Sequence, residues 1–167
     1  MGRRKAKRKL VEVCVPNVWA FMREHGMFNH DKIVWLYIVT GDHNEGLPGL
    51  FRLTESQIEA SAGLRLTSED SNADLDTTDI VRWAVEGWEK DGLLLVDRKA
   101  GVMMIRGAVG NRTPRDEDEA RRWARLVFDL PECEVVDAWC DEFTKACEHC
   151  DELREAFQDE WTILCAD

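Results

Sequence analysis

The sequence lacks the long hydrophobic runs that membrane spans and export signals need. No window of the 167 residues approaches the ~18 consecutive apolar residues of a transmembrane helix. The basic start of the chain is not followed by the ~7–15-residue apolar core of a signal peptide. We therefore expect a cytoplasmic protein without a membrane partner. For the same reason we expect its six cysteines to be reduced thiols rather than disulfides.

Motifs of catalysis and cofactor binding are missing as well. The chain contains no phosphate-binding glycine loop, no dinucleotide-binding turn, no GxSxG and no HExxH.

Cys133, Cys140 and Cys147 are spaced seven residues apart, with His149 and Cys150 close behind. Seven residues rise about 10.5 Å along a helix, whereas the ligands of one zinc ion each lie about 2.3 Å from the metal. Cys140 and Cys147 therefore cannot bind the same ion unless the helix is broken between them. We expect packed thiols, and no catalytic residue, metal, cofactor or small-molecule ligand.

Acidic residues are absent from one short segment, although they predominate elsewhere. Residues 1–10, the basic arm, contain no acid and six basic residues: Arg3, Arg4, Lys5, Lys7, Arg8 and Lys9. The rest of the chain carries 16 basic against 33 acidic residues, a net charge of −17. Residues 129–167 alone have 13 acids against two bases, a net charge of −11. Uniformly basic nucleic-acid binders differ from this pattern, so we expect any DNA contact to be local.

Apolar spacing and turn residues predict a mostly helical α+β chain. A buried helix is expected over residues 29–40, followed by a short strand in "GLFRL". Thr54 and Gln57 form a capping-box pattern, which predicts the start of a second helix. A third helix opens at Thr77 or Thr78 and stops at Gly92. The stretch "GLLLVDRKAGVMMIRG" reads as a β-hairpin, and three more helices are predicted at 114–128, 134–147 and 148–164.

This order of elements is that of a winged helix-turn-helix domain. Such a domain packs three helices against a small antiparallel sheet, and its hairpin loop is called the wing. The predicted organisation is a disordered basic arm (residues 1–10), a winged-helix domain (11–110) and an acidic C-terminal helical extension (111–167). The arm is expected to be disordered because a like-charged run without apolar residues has nothing to bury.

Two stretches of this predicted domain resemble a known group of proteins. "KIVWLYIVTGDHNEGLPGLFRLTESQIEASAGL" and "DIVRWAVEGWEKDGLLLVDRKAGVMMIRG" are similar to the N-terminal winged-helix domain of DnaD-like and replisome-organiser proteins of phages and mobile elements. The resemblance covers about residues 31–107 and implies a DNA-binding accessory protein of replication initiation. Two features depart from that group: the polar residues 65–76 separate the second and third helices, and the third helix has few basic residues.

The residues predicted to contact DNA fall into three groups. The six basic residues of the arm are expected to bind phosphates, giving salt-sensitive affinity, although the acidic tail is an alternative partner for them. On the third helix, Thr78, Arg82 and Trp83 lie opposite the predicted core, where an arginine can donate to guanine. At the hairpin, Arg98, Lys99 and Arg106 suit phosphate contacts. The alternative for the helix and the hairpin is that these residues only form a solvated surface.

Two other functions fit the same sequence. One is an acidic winged-helix module for protein interaction, either an adaptor or an inhibitor that mimics nucleic acid; the other is a transcription regulator. The acidic extension has an apolar face that either docks on the winged-helix domain or binds a protein partner or a second copy; its residues are Phe143, Leu153, Phe157, Trp161 and Leu164. Basic side chains gathered on one face favour double-stranded DNA as the partner, whereas exposed carboxylates on the third helix favour the interaction module.

Overall fold

The computed structural model describes residues 18–27, 29–41, 43, 46–62 and 77–166. The basic arm and the polar residues 65–76 lie outside this part of the chain. Within the described ranges are eight helices and three strands: α1 (Val18–Glu24), α2 (Asn29–Thr40), β1 (Leu50–Arg52), α3 (Glu55–Ala62), α4 (Thr77–Lys90), β2 (Leu94–Asp97), β3 (Val102–Ile105), α5 (Ala108–Asn111), α6 (Glu117–Phe128), α7 (Glu134–Ala146) and α8 (Asp151–Leu164). The predicted class, a mostly helical α+β chain with a small antiparallel sheet, is confirmed.

Local signals in the sequence set several helix ends. At α3, the Gln57 side chain accepts a hydrogen bond from the Thr54 backbone N–H at 2.8 Å, and Thr54 Oγ1 accepts one from Gln57 N–H at 3.3 Å. This is the reciprocal pairing of a capping box. The sixth helix begins three residues later than predicted, because Asp116 caps it by accepting a hydrogen bond from Glu119 N–H. The last helix begins at Asp151, since a turn between Cys147 and Cys150 precedes it.

The three strands form an antiparallel sheet with β3 in the centre. The strand order is β1-β3-β2, and Met104 pairs with Leu50 on one side and with Leu95 on the other. All four residues of β3 are buried. Their side chains alternate between two cores, since Met103 and Ile105 belong to the first and Val102 and Met104 to the second. The sheet is therefore covered by helices on both faces.

The first core holds α2, α3 and α4 against one face of the sheet. Trp35 of α2 and Trp88 of α4 meet edge to face, with ring centroids 5.0 Å apart. Ile58 of α3 and Val85 of α4 are fully buried in the same cluster. This layer places the outer side of α4 at the surface of the protein.

The second core docks the C-terminal helices on the opposite face. Trp139 of α7 is fully buried, and its indole N–H donates to the Pro48 carbonyl oxygen at 2.9 Å, in the loop before β1. The Glu142 carboxylate accepts a hydrogen bond from Gly107 N–H at 2.8 Å, just after β3. Phe143 and Phe157, from the predicted apolar face, are buried here, while Leu153 and Trp161 are partly buried against the same cluster. The acidic extension thus shares a core with the sheet.

No helix in the described part of the chain has the length and apolar content needed to cross a bilayer.

Candidate nucleic-acid interface

One side of α4 is buried and the opposite side is exposed. Its apolar residues Ile80, Val81, Ala84, Val85 and Trp88 pack inward. As the apolar spacing predicted, Arg82 and Trp83 lie on the outer side, with the Arg82 side chain 50% exposed and Trp83 57% exposed. Thr78 belongs to the first turn of this helix, but its side chain is outside the described part of the structure.

The exposed side of α4 carries balanced charge rather than a positive excess. The Arg82 guanidinium lies 3.8 Å from the Asp79 carboxylate, one helical turn away. Glu86 and Lys90 are both exposed further along the helix. This surface offers one guanidinium and a large indole to a partner, and little net attraction for phosphate.

Arg98, at the tip of the hairpin, is held by two carboxylates of the protein itself. Its Nη2 lies 2.6 Å from Glu89 Oε2 of α4, and its Nε donates to Glu55 Oε1 of α3 at 3.0 Å. The hydrogen bond to Glu89, together with the charges of both carboxylates, raises the pKa of Arg98 above its usual value. The guanidinium therefore ties the hairpin turn to both helices. A phosphate contact by Arg98 stays a prediction, and it would compete with these two partners.

The two other predicted residues of the hairpin are differently placed. Lys99 and Arg106 are exposed, and neither forms an ion pair with another described residue. The turn that presents Lys99 is fixed by Asp97, whose carboxylate accepts a hydrogen bond from Ala100 N–H at 2.8 Å. Of the two predicted cations at the hairpin tip, Lys99 is therefore the one whose side chain projects into solvent without a carboxylate partner among the described residues. The six basic residues of the arm lie outside the described residues.

A cluster of arginines around one buried carboxylate was missed from the sequence. Glu119 of α6 is 5% exposed and accepts hydrogen bonds from Arg112, Arg115 and Arg122, at 2.8, 3.1 and 3.1 Å. Arg112 also lies over the Trp123 ring, 5.4 Å from its centroid. Burial opposes ionisation of Glu119, but the hydrogen bonds and charges of these arginines outweigh it and hold its pKa below the usual range. We call this cluster the Glu119 joint, because it connects α6 to the residues after α5.

A groove of about 490 Å³ runs between α7 and α8. Phe143, Phe157 and Trp161 form its apolar lining, and Asp137 and Glu155 add carboxylates. The groove also contains Cys140, and burial of this thiol, with nearby Asp137 and Asp141, raises its pKa to about 11. Cys140 is therefore a protonated, weakly nucleophilic thiol at neutral pH.

Like Cys140, the other described cysteines are free thiols: Cys133, Cys147, Cys150 and Cys165. Among the described residues, no three His, Cys, Asp or Glu side chains are grouped closely enough to hold a metal ion.

Comparison of the chain with protein-family models, with curated proteins and with solved structures finds no match.

Proposed function

We propose that this chain is a DNA-binding accessory protein of phage or mobile-element origin, acting in replication initiation, and that α2 through β3 form a winged helix. The observation that carries the proposal is the topology: α2-β1-α3-α4-β2-β3, with the sheet order β1-β3-β2. In DNA-binding proteins of the helix-turn-helix class, the equivalent of α4 is the helix that enters the major groove. The proposal places the protein in the cytoplasm, where phage DNA is replicated.

The contacts would be divided among three parts of the molecule. The basic arm supplies most of the phosphate neutralisation, because the rest of the chain is strongly acidic. Arg82, Trp83 and Thr78 of α4 would contact the groove. Lys99 and Arg106 would contact the backbone beside it, while Arg98 positions the hairpin against α4 rather than binding DNA itself.

A second candidate function, an interaction module that binds protein, is favoured by a specific observation. Glu55 and Glu89 pair with Arg98, and Asp79 lies beside Arg82, so two of the predicted DNA-binding cations have acidic neighbours. In addition, Trp83 is exposed, and aromatic residues are enriched where proteins bind one another. This module would use α4 for a protein and not for DNA.

The two functions are separated by duplex binding of the full chain with a matched pair of variants. Arg82→Ala removes an exposed arginine of α4. Arg121→Ala removes a partly exposed arginine of α6, a helix that packs in the second core on the opposite face of the sheet. Each arginine pairs only with carboxylates of its own helix among the described residues. If α4 binds DNA, Arg82→Ala weakens affinity about tenfold, the equivalent of one good base or phosphate contact, and Arg121→Ala leaves it unchanged.

The measurement is fluorescence anisotropy with labelled duplexes at several salt concentrations. If Arg82→Ala and Arg121→Ala both bind the duplex as tightly as the unmodified chain, Arg82 is not part of the DNA interface. No duplex binding by the full chain at low salt would overturn the DNA proposal and leave the interaction module.

A further inference from the structure

Beside Trp83 the surface opens into a cleft of about 270 Å³. The turn after α1 and the first turn of α2 form one wall, which includes Asp31. The outer side of α4 forms the other wall, with Trp83, Gly87 and Trp88, and Asp91 lies at its end. We call it the α4 cleft. Of the residues predicted to contact DNA, only Trp83 lines it.

The walls of the α4 cleft combine two indole rings and two carboxylates with the imidazoles of His25 and His30. Trp83 is 57% exposed although it is a large apolar side chain, while Trp88 is anchored in the core with 5% of its surface exposed. The Asp31 side chain is 18% exposed and lies 3.3 Å from His30 Nε2. Asp91 follows the last residue of α4, where the helix dipole adds partial negative charge. Electron-rich ring faces and carboxylates together attract a cation.

Charge complementarity decides what kind of partner fits. The chain outside the basic arm has a net charge of −17, which attracts basic surfaces and repels phosphates. An arginine side chain is flat enough to stack on an indole and can donate to a carboxylate at the same time. A nucleotide would also stack on Trp83, but its phosphate would lie near two carboxylates.

We propose that the α4 cleft binds an arginine side chain of a basic protein partner, stacked on Trp83 and attracted by the negative charge of Asp31 and Asp91. This deepens the second candidate function, the interaction module that binds protein through α4, and rests on it. A bound arginine would occupy Trp83, so the partner and a DNA groove would compete for this residue. It also gives an exposed tryptophan on an otherwise polar helix surface a specific role.

Gly87 provides a way to close the cleft without disturbing the core. A Cβ built at this position meets no other atom within 4 Å, so the space above it is open. Gly87→Leu places a branched side chain in the cleft and also raises helix propensity. Gly87→Ala raises helix propensity in the same way but leaves the cleft open, so it is the matched control.

The experiment follows the indole N–H signal of Trp83 in the ¹⁵N-labelled full chain, with the signal assigned from Trp83→Phe. The probes are N-acetylarginine amide, the neutral isostere N-acetylcitrulline amide, and cytidine 5′-monophosphate. We expect the arginine probe to shift the Trp83 signal saturably, and the citrulline probe to bind at least about tenfold more weakly. Gly87→Leu should weaken binding of the arginine probe by at least about tenfold, and Gly87→Ala should bind like the unmodified chain.

Three results would overturn the proposal. Equal binding of the citrulline and arginine probes would show that charge is not recognised, and this comparison needs no variant to fold. Unchanged binding to Gly87→Leu would place the probe elsewhere on the protein. Tighter binding of the nucleotide than of the arginine probe would make the cleft a nucleotide site. Because no duplex is used, none of these results bears on DNA binding by the arm.

Discussion

Arg98 and Lys99 are adjacent cations at the tip of one hairpin, but their surroundings give them different roles. Arg98 contacts two carboxylates from two helices, whereas Lys99 is exposed and forms no ion pair with a described residue. A guanidinium can donate to both carboxylates at once, which an ammonium group cannot match in the same geometry. We therefore propose that Arg98 stabilises the fold, and that Lys99 is the residue of this pair that contacts DNA.

Single substitutions separate these roles. Arg98→Ala should lower the free energy of unfolding by about 1 kcal/mol, because it leaves Glu55 and Glu89 facing each other without a cation. Lys99→Ala should leave stability unchanged and weaken duplex binding to all sequences about equally, as expected for a phosphate contact. Urea denaturation measures the stability of both variants, and fluorescence anisotropy measures their affinity for duplex DNA. If Arg98→Ala weakened DNA binding without affecting stability, the guanidinium would be a DNA ligand after all.

At the scale of helices and strands, the predictable features are those that depend on near neighbours in sequence. The Thr54–Gln57 capping box lies within one turn, and the hairpin strands are separated only by their own turn, so both were visible as short patterns. The partners of Arg98 could not be predicted in this way, because Glu55 lies 43 residues from Arg98 and no local pattern connects the two residues. The four-residue helix α5 was missed for a related reason: it is too short to show a period.

The burial of the sheet on both faces did leave a signal in the sequence. Val102–Ile105 is a continuous apolar run, which is typical of a strand covered on both sides rather than of an exposed hairpin. What the run alone does not tell is which helices cover the second face. Contacts such as that between Trp139 and Pro48 join residues 91 positions apart, and they appear only when the chain is folded.

The Glu119 joint makes the connection between α5 and α6 sensitive to acid. The pKa of Glu119 is lowered in the folded protein, so its contribution to stability is present above the ordinary pKa of a glutamic acid, about 4.3, and is lost as the pH falls through the lowered value. At neutral pH, Glu119→Gln should lower the free energy of unfolding by about 2 kcal/mol, since three arginines lose their common carboxylate. The difference from the unmodified chain should shrink below about pH 4.

The control for this prediction is Glu117→Gln. Glu117 lies two residues earlier on the same helix, is 54% exposed and pairs with Arg121 at the surface. Chemical denaturation at pH 7 and near pH 3.5 should show a small effect of this variant at both values. Equal effects of the two variants at pH 7 would mean that the Glu119 joint does not stabilise the fold.

Over the whole molecule, positive charge is concentrated at one end of the sequence. The arm holds six of the 22 basic residues, and the described arginines are largely engaged with carboxylates of the protein. The acidic extension is docked on the sheet, so its carboxylates belong to the same folded unit as α4. Because the chain outside the arm carries a net charge of −17, it repels a nucleic acid as a whole, and attraction is expected only at the arm and at a few exposed cations.

If the arm is the main phosphate-binding element, it should dominate the salt dependence of DNA binding. Each neutralised phosphate changes the slope of log K against log salt by about 0.9, so deletion of residues 2–9 should flatten the slope by about five if all six cations are engaged. A chain with the same arm residues in permuted order keeps the charge and should bind like the unmodified protein, because phosphate contacts do not depend on sequence order. Unchanged affinity after the deletion would instead leave α4 and Lys99 to bind DNA, on a surface whose charge is nearly balanced, and would favour the protein-binding function.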